Sequence, residues 1–232
     1  MSNNTRIVFL MTVENLHGRS ILSSLLKNNI PIKAIIVEHK SKLAENTRNY
    51  LKNNFYNPKM LDELIKNKNI DIHYVENHND DCCENLLTSY SPDYVILGGT
   101  RILKDHIIKT AKYGFINSHP AILPQYHGLD CVGWSILNDD LVGATIHFID
   151  IGIDSGPIIK KGTITYDDCK SLIEVRIKAM KKCISLLVDI LENISPGSIK
   201  STPQDKTLGK KYPALPEDKI KVVEEKIFMN KI

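Results

Sequence analysis

The stretch from Asp93 to Pro120 reads DYVILGGTRILKDHIIKTAKYGFINSHP. Its first run, Asp93–Gly99, is largely apolar and ends on paired glycines, which predicts a buried strand. Lys104–Lys112 predicts a short helix and Gly114–Asn117 the next strand. The same alternation repeats outward from this unit. Towards the N-terminus, Arg6–Thr12, Pro31–Val37 and Ile70–Val75 predict strands. Leu16–Asn28 predicts a helix with Ile21, Leu22, Leu25 and Leu26 on one face. Ser41–Asn54, Lys59–Asn67 and Cys82–Tyr90 permit helix. Towards the C-terminus, Val142–Asp150 and Pro157–Thr165 predict strands on either side of the turn-rich IGIDSG. Asp168–Ile194 predicts a long amphipathic helix, and Pro216–Ile232 a charged surface helix.

Strands alternating with helices of this size argue for an α/β fold, a Rossmann-like, mostly parallel sheet with helices on both faces. In such sheets ligands gather at the carboxyl ends of strands. Gly98-Gly99 and Asn117-Ser118-His119 both fall at such ends. The chain has 232 residues, 42% hydrophobic and 25% charged, an ordinary globular balance. A net charge of +3 is too small to argue for nucleic acid as a partner. No stretch is long and apolar enough to predict a membrane span, and the N-terminus lacks the design of a secretory signal. The five cysteines (Cys82, Cys83, Cys131, Cys169, Cys183) lack metal-ligand spacing and read as free thiols of a reducing, cytoplasmic compartment. Eight histidines show no HxxxH or HxH pair with a carboxylate partner, so no metal is expected.

Chemistry concentrates between Gly98 and Ile159, in GGTRIL, GFINSHPAILPQYHG and GATIHFIDIGIDSGPII. Taken singly, each polar residue here has a bland reading. His119 before Pro120 could be a loop histidine, Asp154 a turn former, and Asn117 a strand-end cap. Together they suit acyl transfer to an amine, the reaction that a family resemblance in their spacing implies. The carbonyl oxygen gains negative charge and needs preorganised donors, which an Asn117 amide and a His119 imidazolium supply. The attacking nitrogen must shed a proton and the leaving nitrogen gain one. Asp154 close to His119 would raise the imidazole pKa and relay that proton, directly or through water.

Asn-x-His-Pro-x-x-Leu-Pro at Asn117–Pro124, followed by Asp-x-Gly at Asp154–Gly156 just after a His-containing strand, resembles the folate-dependent formyltransferases. That family includes glycinamide ribonucleotide, methionyl-tRNA and sugar N-formyltransferases. The resemblance implies transfer of a formyl group from 10-formyltetrahydrofolate, with Asn117, His119 and Asp154 as the catalytic residues. It implies that Thr100, Arg101, Ile102 and Leu103, with Asp150, Ile151, Gly152 and Ile153, contact the folate. His147 falls on a further family histidine, either orienting Asp154 or satisfying a backbone partner. Residues 1–195 then form the catalytic domain, and 196–232 an extension packing on it or on a partner subunit. A homodimer is also implied.

The amine acceptor is less defined. The loop Met11–Gly18 after the first strand has a single late glycine and carries Glu14, which counts against a ribonucleotide phosphate. A methionyl-tRNA enzyme would carry a further C-terminal β-barrel and a strongly basic face. A nucleotide-linked amino sugar is therefore the expected acceptor, with glycinamide ribonucleotide as the alternative. Trp134 could face the acceptor or belong to a helix core, and His127 could contact an anion or lie in a surface loop. A formyltetrahydrofolate hydrolase and a non-catalytic folate-binding module are the remaining alternatives.

Overall fold

The computed structural model describes residues 5–13, 15–38, 59–205 and 207–229. The predicted helical stretch Ser41–Asn54 and the acidic Glu14 lie outside the described residues. By internal contacts the chain divides into two units, Met1–Asn117 with Val188–Ile199, and Ser118–Leu187 with Lys200–Ile232.

The first unit is built on β1 (Ile7–Thr12), β2 (Ile32–Glu38), β3 (Asp71–Val75), β4 (Tyr94–Gly98) and the first part of β5 (Gly114–His119). They lie in the order β3-β2-β1-β4-β5, each paired in parallel with its neighbour. The strand order reverses between β1 and β4, which is where an open α/β sheet forms its crevice. β1 is buried along its whole length, and β2 is buried at every position but Lys33, so both read as continuous apolar runs. The helices of this unit are α1 (Leu16–Lys27), α2 (Leu61–Ile65), α3 (Asp81–Tyr90) and α4 (Asp105–Ile108).

Helix α1 starts where Asn15 accepts a hydrogen bond from the Gly18 amide, 2.8 Å long. Gly18 is also a packing requirement. A Cβ there would stand 1.9 Å from the Gly98 carbonyl oxygen, so only glycine lets α1 lie this close to β4.

The second unit holds β6 (Tyr126–Gly128), β7 (Gly143–Phe148), β8 (Ile158–Thr163), β9 (Lys210–Tyr212), α5 (Cys131–Leu137) and α7 (Glu217–Met229). Between β8 and β9 the chain forms α6 (Leu172–Leu191). β7 and β8 pair antiparallel, while β6 and β9 form a separate two-stranded parallel ribbon. The core gathers Val132, Ile136, Leu172, Val175, Val223 and Ile227. The predicted α/β class is thus observed, with most strand pairs parallel and one antiparallel pair. The two short strands β6 and β9 were not predicted. Among the described residues no helix is long and apolar enough to cross a membrane. All five cysteines are free thiols, four of them buried and Cys82 exposed.

Candidate active site

The second unit brings three of the expected residues together. His119 ends β5, His147 lies near the end of β7, and Asp154 follows in the connector to β8. His119 Nδ1 lies 3.7 Å from Asp154 Oδ2, and His147 Nε2 lies 3.8 Å from Oδ1. The two rings meet edge to face at 6.4 Å between centroids. Both imidazoles are almost fully buried, and the carboxylate is mostly so.

Main-chain carbonyls fix which nitrogen of each ring carries hydrogen. His119 Nε2 is 2.8 Å from the Tyr126 carbonyl oxygen, and His147 Nδ1 is 2.8 Å from that of Phe148. A carbonyl oxygen only accepts, so these nitrogens donate. In the neutral rings the remaining nitrogens, His119 Nδ1 and His147 Nε2, are lone-pair acceptors turned toward the Asp154 carboxylate. The carboxylate thus faces two acceptor nitrogens, with no hydrogen between them.

Burial pulls the His119 pKa below its ordinary value, while Asp154 and the Tyr126 carbonyl pull the other way. Burial likewise takes His147 down to about 4, against the opposing effect of Asp154. The expected net upward shift of His119 is therefore reversed. Desolvation of a buried ring outweighs a carboxylate that stands beyond hydrogen-bond distance. At neutral pH both rings are neutral, and His119 presents a base rather than a ready cation.

Asp154 is held from its own surroundings. The Gly128 amide donates to Oδ2 at 2.8 Å, and the Gln204 side-chain amide donates to the Asp154 carbonyl at 2.7 Å. The residue has φ of +54°, a left-handed conformation that aspartate tolerates better than most side chains. Within the same turn Asp150 accepts from the Gly152 amide at 3.0 Å and the Ser155 hydroxyl at 2.6 Å. That leaves Ile151 at the tip 79% exposed. An exposed apolar side chain on an internally braced turn suits contact with a flat, mostly apolar ring.

Asn117 and Thr100–Leu103 belong to the first unit. Asn117 lies two residues before His119 on β5, so the pleat projects both side chains from the same face of that strand. Residues 100–104 are tied down by their own contacts. Arg101 grips the buried Glu38 carboxylate at the end of β2, its Nε donating at 2.8 Å to Oε2. The His78 amide donates to the same carboxylate at 2.9 Å. Burial alone would raise the Glu38 pKa, but the Arg101 and His78 hydrogen bonds bring it below its ordinary value. Asn79 donates to the Ile102 carbonyl at 3.0 Å and accepts from the Lys104 amide at 2.7 Å. The guanidinium of Arg101 is thus committed to Glu38, and Ile102 is left 70% exposed.

Gln204, Gly128 and Tyr126 were not foreseen as site residues. Their contributions come from a side chain fifty residues past Asp154 and from backbone groups, and no local motif signals either. Trp134 lies half-buried in α5, its ring tilted by 37° against that of Tyr212 with 5.0 Å between centroids, and donates to the Pro213 carbonyl at 2.8 Å. It packs against the C-terminal segment of its own unit. His127 lies on β6, its Nε2 buried without a hydrogen-bond partner. Among the described residues no cluster of three His, Cys, Asp or Glu is arranged to hold a metal ion.

The family model described as formyl transferase matches residues 5–190. The chain belongs to this family. Methionyl-tRNA formyltransferase of Chlorobium chlorochromatii is 27% identical over 148 residues, 63% of this chain and 47% of that protein. The chain therefore spans about half the length of that relative. Among solved structures, glycinamide ribonucleotide transformylase 1 of Symbiobacterium toebii superposes with a TM-score of 0.64 at 17% identity, covering 88% of this chain and 96% of that one. The formyltransferase PseJ of Anoxybacillus kamchatkensis, solved with a formamido UDP-sugar and tetrahydrofolate, gives 0.58 at 24% identity, covering 86% and 97%. At these identities the two structures establish the fold alone.

Proposed function

We propose that this chain transfers a formyl group from 10-formyltetrahydrofolate to the amine of a nucleotide-linked amino sugar. The observation carrying the chemistry is the Asp154 carboxylate facing the lone-pair nitrogens of His119 and His147, with both tautomers fixed by carbonyls. The folate, when bound, supplies the activated formyl carbon. Thr100–Leu103 and Asp150–Ile153 are assigned to it from the family resemblance, and the exposed Ile151 and Ile102 are the kind of surface a flat pterin ring covers. As the amine nitrogen bonds to the formyl carbon, His119 Nδ1 takes the proton the amine sheds, Asp154 stabilises the resulting imidazolium, and the proton passes on to the donor nitrogen whose bond to that carbon breaks. Asn117 offers its amide to the carbonyl oxygen as negative charge grows there. His147 orients Asp154 as a neutral ring.

One point favours the sugar acceptor: Gly18 at the start of α1 already donates to Asn15, which leaves one fewer amide to cradle a ribonucleotide phosphate. A second reading, a methionyl-tRNA acceptor, draws on the relative matched at 27% identity. The test is an acceptor screen with amino-sugar nucleotides, glycinamide ribonucleotide and methionyl-tRNA, formyl transfer being read by mass. Transfer to the sugar nucleotide at the highest rate is the expected result. A higher rate on either other acceptor sinks the sugar assignment, and donor turnover without any acceptor replaces it with hydrolysis.

A further inference from the structure

Asp154 sits in a conformation that its own sequence does not enforce. A φ of +54° is uncommon for a residue other than glycine, and at Asp154 neighbours hold the turn in place. One of those neighbours is Gln204. Its Nε2 donates both hydrogens, one to the Asp154 carbonyl and one to that of Gly156, each at 2.7 Å. A single planar amide thereby turns two carbonyls of the connector to one side. The opposite orientation of the amide is ruled out, because Oε1 would then meet two carbonyl oxygens. In the observed orientation Oε1 is buried, with no hydrogen-bond partner among the described residues.

The chain delivers Gln204 to that place with defined register. Two residues earlier, Thr202 exchanges a pair of backbone hydrogen bonds with Ile158, each 2.8 Å, beside β8. The same C-terminal segment also supports the second anchor of Asp154. Its β9 pairs with β6, the Lys210 amide donates to the Gln125 carbonyl at 3.1 Å, and the Leu129 amide to that of Tyr212 at 3.0 Å. β6 ends at Gly128, whose amide holds Asp154 Oδ2.

From this geometry we infer that Gln204 is a positioning residue for Asp154, and that residues 200–205 and 207–212 are part of the machinery that aims its carboxylate at His119 and His147. The inference deepens the reaction proposed above and rests on Asp154 acting there. Gln204 touches no reacting atom in this scheme. It fixes the turn, and the turn fixes the distances of the carboxylate from the two imidazoles. A misplacement of about an ångström at a reaction centre costs on the order of a hundred-fold in rate.

The experiment uses the full chain with Gln204→Met, which keeps length and volume but removes both donors, and Gln204→Glu, whose carboxylate is repelled by both carbonyls. Turnover is measured beside NMR titration of the His119 and His147 rings without substrates. The groups facing these rings are Asp154, Asp150, His127 and each other. The expected result is a kcat lower by about ten- to a hundred-fold, with both KM values little changed, and displaced titration of both rings. Gln204→Glu is expected to be the worse of the two. Unchanged kcat, or a lower kcat with both rings titrating as in the parent, overturns the inference. The titration needs no substrate, so it reads Gln204 even if the reaction is misassigned. If Asp154→Asn retained full transfer activity, the proposed chemistry would fall while the titration still decided Gln204. Should Gln204→Glu fail to fold, the Gln204→Met pair of measurements carries the decision.

Discussion

Two braced segments of this molecule are held by opposite means. Residues 100–104 in the first unit are fixed by charge, with Arg101 closed on the buried Glu38 and Asn79 stapling the backbone on both sides of Leu103. In residues 150–156 of the second unit, neutral amides hold Asp154 itself, with Gly128 and Gln204 donating to it and Gln204 reaching on to Gly156, while the Asp150 carboxylate braces the start of the turn. In the first, the charged group is spent on the brace and Ile102 is left exposed. In the second, the groups that hold Asp154 are neutral, so its charge is not offset by its brace.

The largest break in this comparison is expected from Asp154→Asn. It keeps the side-chain shape and the left-handed backbone while removing the charge, and turnover should fall by on the order of a hundred-fold or more with the melting temperature nearly unchanged. A retained rate in a steady-state assay would mean that the carboxylate does no chemistry.

Acidification should separate the segments next. His147 has its folded pKa lowered by burial from 6.5 to about 4. The unfolded chain therefore binds its proton first. The stability this ring contributes is complete above about pH 6.5 and is lost as pH falls towards 4, by about 3 kcal/mol at most. Denaturant unfolding at pH 7 and pH 5 should show a smaller acid loss for His147→Asn than for the parent chain. Equal losses would place the acid sensitivity elsewhere, for instance at the buried His17, whose pKa burial also lowers to about 4.

Glu38→Ala should strip the first segment of its charged brace. It leaves the buried His78 amide without its acceptor, while the half-exposed Arg101 can turn to water. A stability loss of about 2 kcal/mol is expected in denaturant unfolding. The accompanying kinetic signature is a raised KM for the folate donor at little-changed kcat. A fall in kcat without a change in KM would contradict the separation of binding from chemistry. The smallest effect belongs to Asn79→Ala, whose two bonds are solvent-exposed. About 1 kcal/mol or less and an unchanged rate are expected.

Much of the first unit was legible because its signals are local. Ile7–Thr12, Ile32–Glu38 and Tyr94–Gly98 are apolar runs bounded by turn residues, and α1 declares its buried face by Ile21, Leu22, Leu25 and Leu26. The ribbon of β6 and β9 was not legible. Three-residue strands show no periodicity, and KKY at 210–212 reads as solvated chain until it meets Tyr126–Gly128 more than eighty residues away. The imidazoles and the carboxylate were singled out by a family resemblance in their motifs, and the structure places them near one another. Their supports could not be singled out. The Tyr126 and Phe148 carbonyls and the Gly128 amide are backbone groups that every residue type offers, and Gln204 sits in an undistinguished polar stretch. The sign of the His119 pKa change failed for a related reason, since motif spacing records a neighbouring carboxylate but not the water that folding removes.

The positive φ of Asp154 also narrows the alphabet available at that position. Glycine, asparagine and aspartate enter this backbone region most readily, and of the three only aspartate brings a charge. Under the proposed reaction, backbone shape and chemistry act as two independent sieves that aspartate passes best. Glutamate, the usual conservative exchange, fails the first sieve, so a library randomised at this codon should return aspartate alone among active clones while recovering asparagine and glycine among folded ones.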